Sequence, residues 1–293
     1  PLQAALRSHR AAERIAWLRP ATVEARHLED ARPIPAERGG DAILDDARIA
    51  AEFDRRAARQ PDLNAVLDAH DSDFVRRGNR LRDYVSRSAV LRTVGARPTE
   101  VILDLGCGVG RLSFPTSARA GRVVGVDVSA KMIEVARARL SSAPGPNLEF
   151  LHVPDLPLPL PSATFDKSFT CWALAHISDE RLQQTLADVR RCLKPGGRFF
   201  AIEQVRSRST ELSEIHKQRS PDEYVARFES EGYRLLERRT VIRAPSYALS
   251  LWNRLPWLPP LALPALNWVE RLTVERKLET ADYLTVAFTF VSP

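Results

Sequence analysis

The sequence predicts an α/β fold built on a mostly parallel sheet. From residue 100 onward, short β-branched runs alternate with segments of helical period. Capping and breaking residues bound those segments, and the first run ends in a glycine-rich turn. VILDL (101–105) and RVVGVDV (122–128) have the apolar continuity of strands buried on both faces. SAKMIEVARARL (129–140) follows as a helix, with Ser129 as N-cap and Met132, Val135 and Ala136 at helical spacing. LEFLHV (148–153), FDKSFTCW (165–172) and GRFFAIEQV (197–205) continue the strand series. DERLQQTLADVRRCL (179–193) is a helix stopped before Pro195, Gly196 and Gly197. Strands separated by helices imply parallel pairing through right-handed crossovers.

The flanks read differently. The N-terminal third is helical and charged, with a weak amphipathic segment over 6–19 and a Pro- and Gly-bearing linker over 32–41. A helix over 42–57 places Ile43, Ile49 and Phe53 on one face, and a third helix runs near 80–94. Beyond the strand series come a helix over 221–232 and a strand over 233–242. The last run, TADYLTVAFTF (280–290), has the period-two alternation of an antiparallel edge strand. Between these strands, residues 244–279 hold Trp252, Trp257 and Trp268 and five of the 21 prolines, so short helical pieces are expected instead of one long helix. The chain therefore divides into a helical extension and linker (1–40), a main domain (41–243 with 280–293) and an apolar insertion (244–279).

Composition bounds the function. The 293 residues are 44% hydrophobic and 27% charged, the balance of an ordinary globular protein. A chain of this size closes a core without disulfides or metal. The 43 Lys and Arg against 37 Asp and Glu leave +6, spread along the chain, and no nucleic-acid partner is expected. No apolar run reaches the roughly 20 residues of a membrane span, and the first ten residues lack the apolar core of a signal peptide. Cys107, Cys171 and Cys192 lie in apolar surroundings outside any CxxC, as small core residues of a reducing compartment do. A cytoplasmic location is expected. No HExxH, EF-hand loop or paired CxxC is present, and no metal is expected.

The strongest signal is VILDLGCGVGRL (101–112) followed by VVGVDVS (123–129). A strand ending in Gly106-Cys107-Gly108-Val109-Gly110 turns sharply and lets a ligand approach its backbone. Asp127 closes the second strand about 20 residues on, where a carboxylate can accept hydrogen bonds from both hydroxyls of a ribose. The dinucleotide fingerprint GxGxxG needs a glycine at position 111. This chain has Arg111, which argues against a nicotinamide cofactor.

DLGCGVGR resembles the first motif of class I S-adenosylmethionine-dependent methyltransferases of the small-molecule type 11/25 kind, and GVDVS resembles their second. LPLPSATFD (158–166), FTCWALAHISD (169–179) and LKPGGRFFAIE (193–203) extend the resemblance over residues 95–205. It implies a Rossmann-like, doubly wound, seven-stranded sheet whose last strand is antiparallel, with S-adenosylmethionine as cofactor. It further implies that Gly106, Cys107 and Gly108 face the cofactor's amino-acid portion, with Asp104 anchoring the loop or its ammonium. Asp127 would hold the ribose, and Val128, Met132, Asp155, Leu156, Thr170 and Tyr84 would complete the cofactor site.

Methyl transfer from a sulfonium is an in-line displacement, so the protein must align the acceptor and exclude water. A hydroxyl acceptor also needs a general base, whereas an already stabilised carbanion does not. His176, just past the fourth strand, is the candidate base, or else it fixes its loop through backbone hydrogen bonds. His152 is expected to be a packed neighbour, and His216 is an alternative from the C-terminal part. Trp172, Trp252, Trp257 and Trp268 are expected to form a substrate lid. The insertion 244–279 is ranked first as a hydrophobic pocket, then as an oligomer contact shared with the N-terminal helices, then as a membrane contact. The expected function is methylation of a small or hydrophobic acceptor, on oxygen first and on carbon or nitrogen next. The alternatives are methylation of a glycan or lipid-linked sugar, and a non-catalytic binding module.

Overall fold

Residues 46–62, 64–67, 73–142, 147–244, 247–274 and 283–293 are described by the computed structural model. The helix read over 6–19, the linker over 32–41 and the extension 1–40 lie outside them. The strands are β1 (Val101–Leu105), β2 (Arg122–Asp127), β3 (Leu148–His152), β4 (Phe165–Cys171), β5 (Leu193–Val205), β6 (Thr210–Ser213), β7 (His216–Gln218), β8 (Arg234–Ala244) and β9 (Tyr283–Val291). Seven form one sheet in the order β3-β2-β1-β4-β5-β9-β8, and β6 with β7 makes a separate antiparallel ribbon. The pairs among β1 to β5 are parallel, while β9 runs antiparallel to both β5 and β8.

The last strand is antiparallel as expected but lies one place in from the edge, which β8 occupies. Its alternation has a different cause from the one read in the sequence. Val286, Phe288 and Phe290 pack on one face, Ala287 packs on the other, and Thr285 and Thr289 are buried. The period of two sorts large side chains from small ones between two covered faces; neither face meets water.

Helices α1 (Asp46–Arg59), α2 (Asn64–Leu67), α3 (Asp73–Val94), α4 (Ser113–Ser117), α5 (Ala130–Ser142), α6 (Asp179–Cys192), α7 (Pro221–Ser230), α8 (Tyr247–Arg254) and α9 (Leu263–Val274) complete the fold. Alternate strand residues face opposite layers. Leu103, Val124, Phe199 and Ala201 pack with Leu182, Leu186 and Val189 of α6 and Phe228 of α7. Ile102, Val123, Phe200 and Ile202 pack with Val90 and Val94 of α3 and Ile133 and Ala136 of α5. The sheet is thus covered on both sides, which is why its strands read as continuous apolar runs.

The proline-rich segment forms two short helices, α8 and α9, joined through a 3-10 turn at Pro260–Ala262. Trp252 of α8, expected in a substrate lid, is a core residue. It is 1% exposed and packs with Leu81 and Val85 of α3, Ala248 and Leu266. Its indole N–H donates to the Arg77 carbonyl at 2.8 Å, and the Arg77 guanidinium lies 3.8 Å from the ring centroid. Arg77 also donates to the carbonyls of Trp252, Leu255 and Leu258, which closes the end of α8. Trp252→Phe is expected to cost about 2 kcal/mol, from a lost hydrogen bond and a part-filled space. Urea unfolding checks this; a loss below about 0.5 kcal/mol would show that Arg77 does not clasp this ring in solution.

Candidate functional site

The strand order reverses at β1, so the carboxyl ends of β1 and β4 diverge and leave a crevice between the loops that follow them. A cavity of about 350 Å³ occupies it, within the size range of small-molecule sites. Gly106 opens the turn after β1 at φ +71°, and a Cβ there would stand 2.5 Å from the Ala173 Cβ. Gly108 has φ +52°, and a Cβ there would meet Val66 Cγ1 at 2.6 Å. Both positions need glycine for conformation and for space.

Asp127 closes β2 and lines the cavity. Its Oδ2 accepts the Gly108 N–H at 2.8 Å, and its Oδ1 accepts the Ser129 N–H at 2.9 Å. Burial raises its pKa, and those two N–H groups pull against the rise. Each oxygen keeps a second lone pair for a ligand hydroxyl. Val128 and Met132 of the following turn, Asp155 and Leu156 after β3, and Trp172 and His176 after β4 line the same space.

Four of the predicted cofactor residues stand behind this wall. Asp104 is 2% exposed and accepts the Ser113 hydroxyl at 2.6 Å, so it anchors the turn. Burial raises its pKa to about 7. Cys107 and Thr170 are buried within the sheet layer, where glycine at 125 leaves room for the cysteine and the Thr170 hydroxyl has no partner. Tyr84 is half-buried on α3, with the Arg87 guanidinium 5.9 Å from its ring. None of the four lines the cavity, and neither do Trp252, Trp257 and Trp268. Of the expected lid, Trp172 alone lines it. Trp172 has φ +61°, a strained conformation for a large side chain, held by its N–H to the Ile202 carbonyl at 3.0 Å.

The cover comes from α1. Ile49, Ala50 and Phe53 line the cavity, as does Val66 of α2. Asp54 docks α1 on the start of α5, accepting from the Ser129 hydroxyl at 2.5 Å and the Lys131 N–H at 3.0 Å. Asp46 lies 3.4 Å from Arg181, and Arg48 lies 2.6 Å from Glu214.

His176 and His216 come together here. Their ring centroids are 4.8 Å apart, and Phe53 meets His176 edge-on at 5.1 Å. His176 Nδ1 lies 2.6 Å from the Ile215 carbonyl. A carbonyl only accepts, so Nδ1 carries the proton and Nε2 is left as an acceptor. Burial lowers the pKa of His176 to about 4 and that of His216 to about 3. His152 differs from its expected role: it is exposed at the end of β3, with Nε2 3.1 Å from the Val128 carbonyl.

Three side chains to which the sequence assigned no such role hold the loops in place. Arg219 is 0% exposed and donates to the carbonyls of Leu174 at 2.7 Å and Ile177 at 2.6 Å and to Asp179. Glu203 accepts the N–H groups of Ala173 and Leu174, each at 3.2 Å. Arg111 donates to Ser86 at 2.8 Å and Asp83 at 3.2 Å, tying the glycine turn to α3. Among the described residues no group of three or more side chains could hold a metal, and no helix is long and apolar enough to cross a membrane.

A sheet in this order with one antiparallel strand, a glycine turn after β1 and a carboxylate closing β2 defines the class I S-adenosylmethionine-dependent methyltransferase fold. Residues 102–197 match the family model described as a methyltransferase domain, and the chain carries such a domain. A demethylmenaquinone methyltransferase of Symbiobacterium thermophilum is 39% identical over 155 residues, which are 52% of this chain and 57% of that relative. A 2-phytyl-1,4-naphtoquinone methyltransferase of Nostoc sp. is 30% identical over 160 residues, 53% of this chain and 64% of the relative. The chain thus spans less than two thirds of the length of either. Among solved structures, geranyl diphosphate C-methyltransferase of Streptomyces coelicolor aligns over 87% of this chain and 100% of its own, with a TM-score of 0.60 and 16% identity. That likeness is one of fold.

Proposed function

We propose that the chain transfers a methyl group from S-adenosylmethionine to an electron-rich carbon of a small, largely apolar acceptor, such as a prenylated quinol. The carrying observation is a buried carboxylate, Asp127, that accepts two N–H groups and keeps lone pairs toward a cavity whose lining histidine, His176, is kept neutral by burial. The residues present fit the cofactor. Asp127 suits the ribose, Met132 and Leu156 offer apolar walls, and the bare backbone at Gly106 admits close approach. When bound, S-adenosylmethionine supplies an electrophilic methyl on a sulfonium.

The protein's own groups do the rest. Ile49, Phe53 and Val66 close the crevice and exclude water from the acceptor. His176 Nε2, held near pKa 4, accepts a hydrogen bond from an acceptor hydroxyl without taking its proton at neutral pH. This weighs against an unactivated alcohol as acceptor, the first expectation, and favours one that ionises by itself and delivers charge to a ring carbon. The names of the two quinone-modifying relatives support the same acceptor class. The glycan reading loses support because the three tryptophans of 244–279 do not line this cavity.

Calorimetric titration with S-adenosylhomocysteine, with NAD and NADP as controls, tests the cofactor; binding of a nicotinamide nucleotide alone would overturn it. Turnover with an isotopically labelled methyl donor and a demethylated naphthoquinol should place the label on carbon. His176→Gln, which keeps an acceptor at the same reach, should retain turnover within about tenfold. A loss beyond about a hundredfold, with the acid-side limb of the pH profile lost, would make His176 a general base and restore the oxygen acceptor.

A further inference from the structure

Helix α9 buries Leu266 in the cluster with Trp252, and it carries polar groups inward and an aromatic one outward as well. It buries Asn267 at 8% exposure and Glu270 at 1%, and it turns Trp268 outward at 59%. Asn267 donates inward to the Ser88 hydroxyl of α3 at 3.2 Å. Leu261, Pro264, Trp268 and Arg271 follow one another at intervals of three, four and three residues, so they share one stripe that starts in the 3-10 turn. Leu261 is 88% exposed, and Trp257, on the turn leading into the stripe, is 73% exposed. The helix thus has a second apolar stripe besides the one packed in the core, and an exposed stripe with two tryptophans marks a contact surface.

Charge identifies those surroundings. Arg271 ends the stripe beside Arg92 of α3 and Arg239 of β8, all three exposed. Burial, and then the Arg271 and Arg239 guanidiniums, lower the pKa of Arg92, which reports like charges crowded together. A second copy of this face would set one arginine cluster against another across a twofold axis, a repulsive contact.

We propose that this face docks on an anionic phospholipid bilayer, with Trp257, Leu261 and Trp268 entering the interfacial layer and Arg92, Arg239 and Arg271 meeting the headgroup phosphates. Tryptophan settles at the headgroup level, and arginine reaches phosphate from there. The inference stands apart from the methyl-transfer reading, because none of these residues lines the cavity.

Co-sedimentation of the full chain with vesicles tests it. Vesicles of phosphatidylcholine with one-third phosphatidylglycerol should bind at least tenfold more strongly than phosphatidylcholine alone, with a blue shift of tryptophan emission. Three arginines near an anionic surface are worth on the order of a hundredfold in partitioning. The double variant Trp257→Ala, Trp268→Ala should lose at least tenfold in binding to both vesicle types, and Arg92→Gln with Arg271→Gln should lose the preference for phosphatidylglycerol. All four side chains are exposed, so thermal melting should stay within a few degrees, which separates lost docking from lost folding. Absence of vesicle binding would overturn the proposal. So would a stable dimer abolished by Trp268→Arg in a chain indifferent to vesicles.

Discussion

Asp127→Ala is expected to weaken S-adenosylhomocysteine binding by a hundredfold or more while the chain stays folded. Two hydroxyl hydrogen bonds to an ionised carboxylate are worth about 1.5–3 kcal/mol each, so losing both costs two to four powers of ten. The fold loses less. The Gly108 and Ser129 N–H groups give up their acceptor at 2.8 and 2.9 Å, but a buried carboxylate whose pKa is raised by burial is removed with them. Asp155→Ala is the control. Asp155 lines the same cavity from an exposed place and should matter by less than about tenfold. Calorimetry on both variants, with a thermal melt of each, separates the outcomes. Equal, small effects would remove Asp127 from the ribose role, and a collapsed melt would make it a loop residue instead.

Asp127 was legible because its chemistry dictates both residue type and interval: a carboxylate at the end of the strand next to a glycine turn. The turn was legible for the same reason, since φ values of +71° and +52° with no space for a Cβ leave glycine as the choice. The cover over the cavity was not. Ile49 and Phe53 showed an apolar face on α1, but periodicity reports that a face is hidden and not what it hides against. The tryptophans failed for a related reason. Trp252 and Trp172 are the same residue type, and tertiary partners alone sent one under Arg77 and the other into the cavity wall. Glu203 was invisible because GRFFAIEQV reads as a strand with three polar residues, and a sequence does not show which of them stays buried beneath the loop after β4. The exposed stripe of α9 was partly in view, as tryptophans and prolines in an unusual run. Its sense came only from seeing Asn267 and Glu270 on the inner side.

Glu203→Gln is expected to stabilise the fold by several kcal/mol at pH 8 and by nothing at pH 4.5. Glu203 is 0% exposed, and its Oε2 has no hydrogen-bond partner. Burial raises its pKa from 4.5 to about 8, against the opposing pull of the Leu174 and Ala173 N–H groups and Arg219. With the folded pKa above the unfolded one, both states hold the proton below pH 4.5. Between 4.5 and about 8 the unfolded chain releases it and the folded chain keeps it, so stability falls as pH rises, then levels off. The full gap amounts to at most about 5 kcal/mol. Glutamine keeps an oxygen toward Ala173 and Leu174 and never ionises, so this part of the pH dependence should vanish in the variant. Asp104, with a pKa raised to about 7, imposes the same trend on both proteins and cancels in the comparison. Urea unfolding at pH 5, 7 and 9 measures the difference. A gap that stays constant with pH, or a variant less stable at pH 8, would mean that the carboxylate is ionised in the fold and sustained by Arg219. The carboxyl group holds the loop that carries Trp172 and His176, so turnover supplies the companion measurement. A variant that gains stability and keeps its turnover would make Glu203 a scaffold residue, whereas a gain in stability with turnover lost would mean that the reaction needs the loop as the carboxyl group holds it.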